Sequence, residues 1–73
     1  MNYSKVIRFL KNNGFKRVEK NSYANDKCKV EFVEEQYEVS DNEGCAMTSI
    51  GLNIYWLVGV LTYYGYIDKN YKQ

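Results

Sequence analysis

The chain has 73 residues and a mass of 8.6 kDa, with no proline, no histidine, two cysteines, 45% hydrophobic residues, 26% charged residues and a formal net charge of +1. This composition belongs to one globular domain and excludes disordered, collagen-like and multidomain chains. Folding a chain this short covers only about 60% of the surface it exposes when unfolded, which leaves a thin core and little room for a large catalytic cleft.

Tyr3, Val6, Ile7 and Leu10 recur at helical spacing and predict a helix over 3–13, with Phe9 on its flank and Gly14 as its stop. Its outer side carries Ser4, Lys5, Arg8, Lys11 and Asn12. Charges run through what would be the apolar region of a leader peptide, so a cytoplasmic protein is expected. Residues 16–23 read as a first strand and 24–27 as a turn, after which Cys28, Val30 and Phe32 alternate with Lys29 and Glu31 as a half-buried second strand. Glu34, Glu35 and Gln36 form the next turn. Tyr37 and Val39 keep the alternation in a third strand, which ends in the turn formers of 40–44, with residues 45–47 as a short extension.

From Cys45 to Ile67 the chain is uncharged for 23 residues, the length of a membrane span. Thr48, Ser49, Asn53, Thr62, four tyrosines and three glycines within it argue instead for a helix over 52–64 inside a globular fold. Gly65 closes that helix, Tyr66 and Ile67 fold back on it, and 68–73 form a flexible tail beyond a domain spanning 1–67.

At 100° per residue, Ile50, Ile54, Leu57, Val58, Leu61 and Tyr64 fall on the side expected to cover the sheet. The reverse side carries Leu52, Trp56 and Tyr63 around Gly59, with Tyr55 and Val60 on its flanks, where a surface helix would show lysine and glutamate. A helix apolar all round is buried twice. The second burial is either against the first helix or in a protein interface, with Trp56 and Tyr63 as anchors and Gly59 as the gap a partner enters. A symmetric homodimer is the simplest such interface.

Charge is unevenly spread. Residues 1–20 hold a net of +5 through Lys5, Arg8, Lys11, Lys16, Arg17 and Lys20, whereas residues 21–44 hold a net of −5 that includes Glu31, Glu34, Glu35 and Glu38. The basic set Lys5, Arg8, Lys11, Lys16 and Arg17 could contact phosphates, and the acidic hairpin could dock on a basic groove of another protein. For both, the plainer reading is a solvated face.

Cys28 and Cys45 lack metal-ligand spacing and have no histidine to complete a zinc set, so both are expected to be buried reduced thiols, without metal or other cofactor. Without histidine, a glycine-rich phosphate loop or a nucleophile beside an identifiable base, the residues give no support for an enzyme. Residues with AT-rich codons number 33 for Phe, Tyr, Met, Ile, Asn and Lys, against 9 for Gly, Ala, Arg and Pro, and lysine outnumbers arginine 8 to 2. This usage points to a low-GC genome, bacterial or that of a phage or mobile element.

The order helix, three strands, helix is that of the double-stranded RNA-binding-like fold, and the stretch from Val6 to Phe15 resembles the opening of HicA-type mRNA interferase toxins. Tyr64-Gly65-Tyr66-Ile67 resembles their helix end. The resemblance implies an α+β fold of order αβββα, with two helices on one face of a small antiparallel three-stranded sheet. That family relies on a catalytic histidine where this chain reads Lys20-Asn21-Ser22-Tyr23, so ribonuclease activity does not carry over. The expectation is a non-catalytic inhibitor or accessory factor acting by protein contact. A nucleic-acid-binding module and a sponge for a small nucleotide are the alternatives.

Overall fold

A computed structural model describes residues 3–68, Asn70 and Tyr71. Helix α1 (Ser4–Asn12) is followed by β1 (Lys16–Glu19), β2 (Ser22–Ala24), β3 (Cys28–Val33), β4 (Gln36–Asp41) and β5 (Ala46–Thr48), and α2 (Ile54–Tyr63) closes the fold. The strands form one antiparallel meander in sequence order, β1-β2-β3-β4-β5. The fold is therefore α+β as expected, but the sheet has five strands where three were predicted.

Two local causes account for the difference. Asn21 adopts φ 62, a left-handed conformation asparagine tolerates better than most side chains, and so turns residues 16–23 back on themselves as the β1-β2 hairpin. The expected extension after Gly44 is a full edge strand, with Met47 opposite Val39. Past its end, the Tyr37 amide donates to the Ser49 hydroxyl oxygen at 2.8 Å, and that hydroxyl donates to the Gly51 carbonyl.

Cys28, Val30 and Phe32 of β3 and Tyr37 and Val39 of β4 alternate with partly exposed residues. They join Val6, Phe9 and Leu10 of α1 and Leu57 and Leu61 of α2 in one core. Phe9, expected on the flank of α1, is buried, while Ile7 is half-buried. Tyr3 stacks on Phe32 with ring centroids 4.6 Å apart, seating the start of α1 against β3.

Both helices end in the same way. Gly14 and Gly65 take φ 89 and 72, and the amides of Phe15 and Tyr66 reach back to the carbonyls of Leu10 and Leu61 at 3.0 and 2.8 Å. These are Schellman endings, which need a residue free to enter the left-handed region. At the other end of α2, the Asn53 side chain caps the helix by accepting from the Tyr55 amide at 2.9 Å. Among the described residues no helix is long and apolar enough to cross a membrane. Lys69, Lys72 and Gln73 of the expected tail lie outside the described residues, and Tyr71 is half-buried with its ring edge-on to Phe9.

Candidate protein-binding face

Leu57 and Leu61 set the orientation of α2, because both are fully buried and lie one turn apart. On this helix Tyr55, Gly59 and Tyr63 then fall in one column on the opposite side. Tyr55 is 83% exposed and Tyr63 81% exposed, and Gly59 between them is also exposed. The outward face is thus centred differently from the expected one. Leu52 and Trp56 are half-buried and pack against the core, as does Val60.

The inward face is narrower than the helical wheel implied. Ile54 and Val58 are half-buried, whereas Ile50 is 97% exposed and Tyr64 about half-exposed. Ile50 precedes the helix in the turn before Asn53, and Tyr64 is the C-terminal cap, so neither follows the helical phase. Exposed large apolar side chains thus gather along α2 and in the turn before it.

Tyr63 is exposed but has a neighbour. Its ring meets Tyr64 edge-on at 4.9 Å, and Tyr64 stacks on Tyr66 at 5.8 Å. The Tyr66 hydroxyl donates to Asp41 Oδ2 at 3.3 Å, anchoring the aromatic row to the end of β4. Burial first, and then the Asp41 carboxylate, push the Tyr66 phenol above its ordinary value of 10.0, so it remains a donor at neutral pH.

Gly59 has an ordinary helical backbone, and a Cβ built there would meet nothing within 4 Å. Neither the backbone nor the packing of this chain requires a glycine at that position. Glycine in a helix interior costs about 1 kcal/mol relative to alanine.

The basic set divides between two elements. Lys5, Arg8 and Lys11 are exposed on α1, and Lys16 and Arg17 are exposed on the edge strand β1. Lys5 and Arg8 stand at a cleft of about 240 Å³ between the helices, lined also by Phe9, Ile54, Tyr55, Val58 and Tyr71. Among the described residues the ion pair is Lys29 to Glu31 at 3.7 Å, so neither cation at the cleft is neutralised by a carboxylate.

In the acidic hairpin Glu31 and Glu38 are cross-strand partners, and Glu34 and Glu35 form the two-residue turn closed by Val33 and Gln36. Both turn glutamates lie in the left-handed region, at φ 44 and 64, where asparagine and glycine are the favoured residues. Cys28 is buried and free, with its thiol pushed up to about 12 by burial and by the Asp26 and Asp41 carboxylates. Cys45 is also free but exposed, against the expectation that both thiols are buried. Among the described residues no three His, Cys, Asp or Glu side chains come together as metal ligands.

The Asn21 turn and the Ser49 bridge were not read from the sequence, and Tyr55, expected on the flank of the outward face, stands in its central column. Tyr55 needed only the correct phase of α2, which Leu57 and Leu61 supply. No family model matches this chain, and neither does any curated protein or solved structure.

Proposed function

We propose that this chain is a small non-catalytic binding protein, an inhibitor or accessory factor encoded by a phage or mobile element, that acts by contact with another protein through the outer face of α2. The observation that carries the reading is the exposed column Tyr55, Gly59, Tyr63 on a helix without a charged residue. Tyrosine offers large contact area for little conformational entropy and is enriched where binding energy concentrates. The row from Tyr63 to Tyr66 further limits the freedom of the exposed ring. The lack of histidine and the small size of the chain support a binding role over a catalytic one.

A photoreactive phenylalanine analogue in place of Tyr63, in the cells that encode the protein, tests this. A discrete protein adduct from position 63, with none from position 16 on β1, is the expected result. No protein adduct from 63, or adducts to nucleic acid alone, would contradict it.

The cleft at Lys5 and Arg8 favours a second reading, nucleotide or nucleic-acid binding, because two unpaired cations flank the aromatic rings of Phe9, Tyr55 and Tyr71. Tyr55 borders both surfaces, so Tyr63 separates the two readings. Retention of nucleic acid that falls with salt and is lost in the Lys5→Glu, Arg8→Glu double variant would favour the cleft.

A further inference from the structure

We propose that the partner of α2 is α2 of a second copy of this chain, the two helices crossing antiparallel at Gly59. This rests on the reading of that face as a protein interface and names its occupant. Tyr55 and Tyr63 lie four residues before and four after Gly59, so the column reads the same in both directions. Two such helices related by a twofold axis through Gly59 set Tyr55 of each chain against Tyr63 of the other, twice, which is the self-complementarity an isologous interface demands.

Gly59 carries the argument furthest. It is a poor helix former at an exposed mid-helix position where a side chain would meet open space within the chain. What a missing side chain does supply is close approach of another helix, since interaxial distance is set by the residues at the crossing. No charged residue lies on α2, and an antiparallel pairing puts Lys5 and Arg8, the cations that border Tyr55, at opposite ends of the shared face in the two copies, so like-charge repulsion between them is small. Four tyrosine rings contribute roughly 600–1,000 Å² when covered. A stable interface needs about 1,200 Å² in total, so the four rings supply half of it or more and the surface around the crossing supplies the rest.

The test joins sedimentation velocity with cysteine pairing, in a Cys45→Ser background for the latter. The wild type is expected to be dimeric at micromolar concentration. Gly59→Ala should raise the melting temperature of the dilute chain by about 4–8 °C while weakening the dimer about tenfold or more. Gly59→Leu should abolish the dimer in a chain that still folds. Under mild oxidation, Gly59→Cys should link to itself, and Tyr55→Cys should link to Tyr63→Cys but not to its own copy, because four residues displace it about 6 Å along the helix from the crossing.

A wild type that stays monomeric up to about millimolar concentration, a dimer that survives both Gly59 substitutions, or Tyr55→Cys linking to itself would overturn the pairing. If the chain is monomeric and position 63 still photo-crosslinks to a different protein, self-pairing fails and the interface reading stands. A monomer with no adduct from position 63 overturns both.

Discussion

The Asn25 side chain donates from Nδ2 to the Tyr66 carbonyl at 2.9 Å, tying the β2-β3 loop to the turn that ends α2. Its Oδ1 meanwhile accepts from the amides of Lys27 and Cys28, at 2.8 and 2.9 Å, so one side chain shapes the loop and holds the helix end. Lys27 adds a bond from Nζ to the Gly65 carbonyl. Asn25→Ala leaves the partly buried Cys28 amide without this acceptor and should cost about 1–3 kcal/mol, measured by urea unfolding. A loss below about 0.5 kcal/mol, the range of an ordinary surface substitution, would show that the clamp is not stabilising.

The Glu34-Glu35 turn departs from its conformational preference. Each left-handed non-glycine residue costs roughly 1–2 kcal/mol, and Asn-Gly is the favoured pair in a two-residue turn with positive φ at both positions. Replacing Glu34→Asn together with Glu35→Gly should therefore stabilise the fold by about 1–2 kcal/mol. Chemical denaturation checks this, and unchanged or reduced stability would refute it.

Asp41 couples stability to acid. Its Oδ1 accepts from the amides of Cys45 and Glu43, and its Oδ2 from the Tyr66 hydroxyl. The Cys45 amide contributes most to holding the carboxyl below its ordinary value of 3.8, although burial opposes it. A carboxyl lowered on folding stabilises fully above the unfolded value and loses that contribution as pH falls through the lower folded value. The wild type should therefore lose melting temperature more steeply than Asp41→Asn between about pH 5 and 2. Parallel curves for the two proteins would contradict the assignment.

The two thiols should separate by reactivity. Cys45 is exposed, whereas Cys28 is buried with its thiol pushed up to about 12. A disulfide-exchange reagent near pH 8 should modify one cysteine per folded chain at once and the second only on unfolding. Fast modification of both would mean that the β3 core opens readily.

Much of the fold was legible because its signals are local. Gly14 and Gly65 mark helix ends through the left-handed residue each Schellman motif requires, and Cys28, Val30 and Phe32 announce β3 by alternation. The β1-β2 hairpin was not legible, since all of β1 is exposed and carries no apolar alternation, and its reversal rests on Asn21 alone. Ile50 and Tyr64 were misplaced because a helical phase was extended beyond the ten residues that are helical. Trp56 was favoured over Tyr55 as the outward ring because a sequence wheel weights Ile54 and Val58, which are half-buried, equally with Leu57 and Leu61, which are fully buried. The role of Ser49 could not be read, because its bond to the Tyr37 amide spans twelve residues and depends on the strand register.

The central claim is that the exposed tyrosines of α2 serve binding and not folding. Sedimentation velocity of the wild type and the Tyr55→Ser, Tyr63→Ser double variant over one concentration series tests it most directly, with urea unfolding of the same samples. The account predicts that the variant loses association, while its stability, compared at a dilution where the wild type is monomeric, stays within about 0.5 kcal/mol of the wild type, as for other surface changes. Association that is unchanged, alongside a stability loss of about 3 kcal/mol or more, would place both rings in the core and contradict the account.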